Sequence, residues 1–138
     1  MLSFKKTLFI YLLTLAVFLA VDAVWLGVVA SSLYQKYLAG FLGGGTNLLA
    51  AGLFYLLYPL GVIHFAVREP LLEDSPASAF TSGALFGLFA YATYDLTNWA
   101  TLAGWPALIV AVDIAWGTIL TGTTAAAAVW LGRKWILK

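Results

Sequence analysis

Four apolar stretches dominate the chain, from about Thr7 to Ala30, Asn47 to Val67, Ala79 to Ala100 and Pro106 to Leu131. A bilayer's hydrocarbon core is about 30 Å thick and takes ~20 helical residues to cross, so each stretch is long enough. Lipid offers no partner to a free backbone N–H or C=O, so a continuous apolar segment that enters it must be helical. The pattern predicts an all-α, polytopic membrane protein, with residues 1–138 forming one transmembrane domain of four helices at about 7–30, 47–67, 79–100 and 106–131. Composition agrees, because 63% of the residues are apolar and 9% are charged, against roughly 25% charged in a soluble domain. The six Trp, seven Tyr and nine Phe suit aromatic belts at the two lipid–water boundaries. A net charge of +1 without a basic stripe excludes nucleic-acid binding. The absence of cysteine removes disulfides, thiolate metal sites, iron–sulfur clusters and thiol nucleophiles together.

The helix ends have local signals. Gly43-Gly44-Gly45 breaks the chain and Thr46 or Asn47 is placed to cap the second helix. Arg68-Glu69-Pro70 is expected to stop that helix, Ser78 to cap the third, and Pro59 to kink the second. Gly104-Trp105-Pro106 makes a tight turn, with Pro suited to the start of the fourth helix. Lys5-Lys6, an apolar run and Val21-Asp22-Ala23 resemble a cleavable secretory signal, yet the run continues through Trp25–Val29, too long for a signal core. The segment is therefore read as the first membrane helix. Lys5, Lys6, Arg68, Arg133, Lys134 and Lys138 fall on one side of the resulting topology and Lys36 on the other. The positive-inside rule then puts both termini and the Arg68–Ser78 loop in the cytoplasm, as expected of a multi-pass inner (plasma) membrane protein. The outer loop Ser31–Thr46, with Tyr34, Tyr37 and Phe41, is expected to lie along the interface as a short amphipathic helix.

Three acids stand inside the apolar stretches: Asp22, Asp95 and Asp113. Each costs at least ~2.5 kcal/mol at a bilayer centre, and such residues face the bundle interior. Counting from the outer helix ends at ~1.5 Å per residue places all three in one layer, roughly 10–12 Å beneath the outer surface. Helical spacing puts Trp25 on the face of Asp22, above the layer, and Trp116 on the face of Asp113, below it. Indole N–H groups there are placed to donate to carboxylates. Tyr91, Tyr94 and Asn98 share a face with Asp95. Three ionised carboxylates cannot coexist at close range in a low dielectric, so protons or a bound hard cation must neutralise them. One protonated aspartate bonded across helices, worth about 0.6 kcal/mol, needs no functional explanation; three in one layer do. Asp22, Asp95, Asp113, Asn98, Trp25, Trp116, Tyr91 and Tyr94 are the candidate ligand- or ion-binding residues. No cofactor is predicted beyond that proton or cation.

Other features carry less. His64 is the single histidine, near the cytoplasmic end of the second helix, so bis-histidine haem ligation within one chain is excluded. Gly83-x-x-x-Gly87 is a close-packing motif that serves either the bundle or a dimer, and Gly117, Thr121 and Ala125–Ala128 form a similar small-residue face. No phosphate-binding loop, zinc motif, nucleophile elbow or dinucleotide fingerprint is present.

Asp22-Ala-Val-Trp25-Leu-Gly27, Tyr94-Asp95-Leu-Thr-Asn98 with Ala100-Thr101, and Asp113-Ile-Ala-Trp116-Gly117 together resemble the domain-of-unknown-function 2177 family of bacterial predicted membrane proteins. The resemblance spans nearly the whole chain. It implies a four-helix membrane protein of about this length and no established activity. Small multidrug-resistance transporters are similar in size and helix count but carry one membrane carboxylate, in their first helix. Asp95 and Asp113 depart from that pattern, so this second similarity is architectural.

Three functions remain open at this level. The first is proton- or cation-coupled transport of a small substrate, for which four helices imply a homodimer. The second is a membrane-embedded enzyme acting on a lipid, with paired acids as general acid and base. The third is a non-catalytic subunit or stabiliser of a larger membrane complex. The expected partners are the lipid bilayer and a second copy or other membrane chains, and not nucleic acid.

Overall fold

The computed structural model describes residues 2–136; Lys138, one of the charges used to orient the chain, lies outside them. Every regular element among the described residues is helical. Helix α1 (Phe4–Val24) runs on through a π-helical turn at Trp25–Val29, and α2 (Ser31–Leu38) comes next. Helix α3 (Leu48–Val62) continues through a second π turn, Ile63–Val67, into α4 (Arg68–Glu73), and α5 (Pro76–Thr101) and α6 (Ala107–Ile136) complete the chain. Three of these helical runs are long and apolar enough to cross a membrane: Phe4–Val29, Leu48–Glu73 and Ala107–Ile136. Helix α5 matches them with 26 residues, but its threonines, tyrosines and Asp95 lower its hydropathy.

The caps show where local chemistry decided the boundaries. Ser3 accepts from Lys6 N–H at the start of α1, and Asn47 accepts from Ala50 N–H at 3.1 Å at the start of α3. Helix α5 begins three residues earlier than expected from Ser78. Ser75 is its cap, accepting from Ser78 N–H at 3.2 Å, and Pro76 occupies the first turn, where a missing N–H costs nothing. The second run does not stop at Arg68-Glu69-Pro70. The π turn ends at Val67 and α4 begins at Arg68, so Pro70 falls in a first turn that needs no N–H from it. Asp74 ends this run with a left-handed φ of 55°. Pro59 lies inside α3 without interrupting it.

The tightest contact in the bundle is α5 against α6. A Cβ on Gly83 would stand 2.7 Å from the Thr121 carbonyl, and one on Gly87 would overlap the Gly117 carbonyl and lie 2.6 Å from the Thr121 hydroxyl. The Gly83-x-x-x-Gly87 motif is therefore spent inside the bundle, where small residues bring two backbones together. Helix α1 lies on α6, and α3 leans on α1. Helix α3 meets α5 chiefly through the π turn Ile63–Val67. The two therefore converge at one end and separate towards the other.

The two ends of the bundle differ accordingly. At one end Ile10, Val62, Val67, Leu71, Ala128 and Val129 form a closed core. Lys5 and Lys6 lie beside Trp135 there, and Arg133 bridges to Asp74 at 3.0 Å and donates to the Leu71 carbonyl. This is the basic end. At the opposite end α2 folds over the α5–α6 turn, burying Leu38 with Trp105, Ile109 and Val110. The outward face of α3 is almost wholly apolar, with Leu48 79% and Leu49 74% exposed, a surface suited to lipid and not to water.

Replacing Gly87 with Val is expected to destabilise the purified protein by about 3 kcal/mol, because overpacking against backbone cannot be relieved by a rotamer change. A Cβ on Gly27 meets nothing within 4 Å, so Gly27→Ala should leave the denaturation midpoint in detergent nearly unchanged. Equal midpoints for the two variants would remove the α5–α6 contact from this role.

Candidate functional site

The first helical run carries Asp22 in the last turn of α1, and Trp25 opens the π turn Trp25–Val29 that follows it. A π turn adds one residue per turn and rotates the helical residues beyond it, and such turns are frequent at functional sites. Here Ala30 N–H bonds back to the Trp25 carbonyl at 2.8 Å. Trp25 and Trp116 stack with ring centroids 4.3 Å apart and planes 7° from parallel. The indoles do not stand apart above and below the acids as their spacing suggested; they meet each other.

Each indole then serves a different carboxylate. Trp116 Nε1 donates to Asp22 at 3.2 Å, and the Tyr55 hydroxyl donates to the other Asp22 oxygen at 2.8 Å. Trp25 Nε1 donates to the Tyr34 hydroxyl at 3.0 Å, and Tyr34 donates to Asp113 in a short hydrogen bond. The Asp95 carboxyl adjoins Asp113 and the Trp105 indole. Neither Asp95 oxygen has a hydrogen-bond partner, nor has Trp105 Nε1. Asp95 is fully buried and Asp22 is 6% exposed. Asp95 thus adjoins Asp113, while Asp22 accepts one hydrogen bond on each oxygen from Tyr55 and Trp116. Among the described residues no three His, Cys, Asp or Glu side chains are grouped to hold a metal ion.

A cavity of about 650 Å³ occupies the space where α3 and α5 diverge, within the range of small-molecule sites. Eight of its fourteen lining residues are aromatic, and Asp22 and Asp113 are its only charged ones. Asp95 stands behind the wall. Of the residues expected from sequence, Trp25, Trp116, Tyr91 and Tyr94 line this cavity and Asn98 does not. Tyr91 reaches it because Gly117 leaves room, since a Cβ there would overlap the Tyr91 ring. Sequence reasoning missed Tyr34, Tyr55 and Tyr58. Tyr55 and Tyr58 did leave a signal, two hydroxyl-bearing rings at i and i+3 on an otherwise apolar helix. Tyr34 left none beyond its place in α2, because its pairing with Asp113 spans 79 residues. Burial, and then the neighbouring Asp113, push the Tyr34 phenol above its ordinary pKa, so it remains a proton donor throughout the physiological range. His64 lies away from this site, exposed and edge-on to Phe65 at 4.8 Å.

Trp116→Phe keeps a ring in the stack and removes one donor to Asp22. The expected loss of stability is about 0.6 and at most ~1.7 kcal/mol, the span measured for interhelical hydrogen bonds in membranes. The stacked indoles should also give a paired, opposite-signed near-ultraviolet circular dichroism signal. That signal should vanish in both Trp25→Phe and Trp116→Phe; its survival in either would show that the indoles are not stacked.

No curated protein and no solved structure matches the chain. One family model, described as Predicted membrane protein (DUF2177), matches residues 7–130. This interval holds Asp22, Asp95, Asp113 and both stacked indoles, and the chain belongs to the DUF2177 family of predicted membrane proteins.

Proposed function

We propose that the protein is a multi-pass plasma-membrane protein that couples binding and transport of a small, largely apolar substrate to the release of one proton. In this reading α5 is the fourth span, shielded along one side by α6, and the basic end faces the cytoplasm. The observation that carries the proposal is the pairing of a fully buried Asp95 with a half-buried Asp113 that lines the cavity. An unpartnered carboxylate in such surroundings is costly, and two adjoining carboxylates cannot both ionise cheaply. The pair therefore holds one proton. Asp22 stands apart from this pair and accepts a hydrogen bond on each oxygen. A substrate that sets a positive charge or a hydrogen-bond donor against Asp113 favours its charged form and displaces the shared proton. Four helices enclose the cavity incompletely on the α3–α5 side, which supports a second copy of the chain completing the pathway.

The divergence of α3 from α5 also favours a second reading. A lipid could reach the acids from the side, and Asp95 and Asp113 would then act as general acid and base. Under this reading Asp95→Asn binds lipid and forms no product, whereas under the first no covalent change occurs in wild type.

The coupling is tested by titrating purified protein, in weakly buffered detergent solution, with a panel of small apolar amines, alcohols and acids. At least one should bind with release of about one proton, and its affinity should rise about tenfold per pH unit while the proton is being displaced. Asp95→Asn should flatten that dependence. Binding without proton release, and with affinity independent of pH, would sink the coupling.

The topology is tested on the natural sequence, because it has no cysteine. In intact cells Gly44→Cys and Ala103→Cys should react with an impermeant maleimide, and Glu73→Cys only after permeabilisation. Labelling of positions 73 and 103 from the same side would mean that α5 does not span.

A further inference from the structure

We infer that the ligand of this cavity is a lipophilic organic cation, an ammonium group carried on an apolar body. The inference deepens the reading above and rests on it. The cavity contains two carboxylates and no Lys, Arg or His, so a cationic ligand meets attraction from both acids and an anionic one meets repulsion. Its walls supply aromatic rings as well. Trp25, Trp116, Tyr55, Tyr58, Tyr91 and Tyr94 border the same space as Asp22 and Asp113. Ring faces attract an ammonium by about 0.5 kcal/mol each at wet sites and ~2 kcal/mol where water is excluded.

Three alternatives fit the same space less well. A hard metal ion takes six or more oxygen ligands, and the described residues hold no metal-ligating group of three acidic or imidazole side chains. A bare inorganic cation would also leave most of 650 Å³ unfilled. A neutral apolar molecule would fill the volume and gain nothing from Asp22 and Asp113. The donors from Tyr34, Tyr55 and Trp116 matter here. They support both carboxylates while the cavity is empty, so no resident cation is required. They also fix the acids at its margin, leaving ring faces and carboxylate edges for an ammonium group.

The way in suits the same class. Tyr94 and Phe54, on the two diverging helices, are 57% and 40% exposed. The opening is therefore lined by rings at the side of the bundle, where an amphipathic cation already concentrated at the membrane surface would meet it. Arrival of one positive charge beside Asp113 and departure of the proton shared with Asp95 leave the charge of the site unchanged.

The test compares benzyltrimethylammonium with neopentylbenzene, its uncharged isostere of nearly equal shape, on the purified full-length wild type. Binding is read by isothermal titration and by the near-ultraviolet signal of the indole stack. The ammonium compound should bind saturably and at least ~10-fold more tightly than the hydrocarbon, as expected for cation–π and charge contributions acting together. Asp113→Asn and Asp22→Asn should each weaken the ammonium compound and leave the hydrocarbon unchanged. Equal binding of the two probes, preference for the hydrocarbon, or no saturable binding of the ammonium compound would each overturn the inference. The proton-coupling reading fails separately, when probes or panel compounds bind without releasing a proton. The wild-type comparison needs no substitution, so a misfolded variant cannot decide the outcome.

Discussion

The close approach of α5 to α6 at Gly83 and Gly87 sets the geometry of everything around it. Helices in lipid gain little from burying apolar side chains, because the solvent is equally apolar; they associate through backbone proximity and matched surfaces. Glycine on one helix facing Thr121, Gly122 and Gly117 on the other supplies that proximity. With α5 and α6 joined along their length, α1 takes the open side of α6 and α3 reaches α5 only near the basic end. The cavity is the volume left by that unequal contact, bounded by the pair that cannot separate and the helix that does not close on it.

The polar groups form a connected set within this frame. Asp22 is linked through Trp116 to the indole stack, and the stack through Trp25 and Tyr34 to Asp113, which adjoins Asp95. A movement of α2, which carries Tyr34, therefore changes the donor to Asp113 and the seat of Trp25 together. Helix α2 in turn is held by Leu38 against Trp105 and Ile109 at the α5–α6 turn. The site is thus tied to the one short helix of the bundle that lies across its end. That helix is a natural place for the shape of the cavity and the environment of the acid pair to change in concert.

Much of this was legible in the residues. Long apolar runs located the helices, because backbone groups in lipid must be satisfied within the segment. The improbability of carboxylates in such runs marked Asp22, Asp95 and Asp113, but helical spacing set Trp25 with Asp22 and Trp116 with Asp113, whereas Trp116 donates to Asp22 and Trp25 to Tyr34. Small corrections came from local chemistry of comparable strength. Ser75 with Pro76 outcompeted Ser78 as a cap, and a π turn carried the second run past Pro70. The larger gaps concerned pairings between distant residues. Periodicity reports which face of its own helix a residue occupies, and not which residue of another helix it meets.

The sequence by itself determined that this is an all-helical membrane protein and singled out three acids on its helices, because the cost of charge and of free backbone in lipid is a property of each segment alone. Only the tertiary structure decided that Asp95 adjoins Asp113 while Asp22 bonds Trp116 and Tyr55, that two indoles stack, that Tyr34, Tyr55 and Tyr58 join the site, and that the glycine motif is consumed within the bundle. Those outcomes depend on how the helices rotate and tilt against one another. Rotation and tilt are set by contacts at sub-ångström tolerance between residues far apart in the chain, which no single segment encodes.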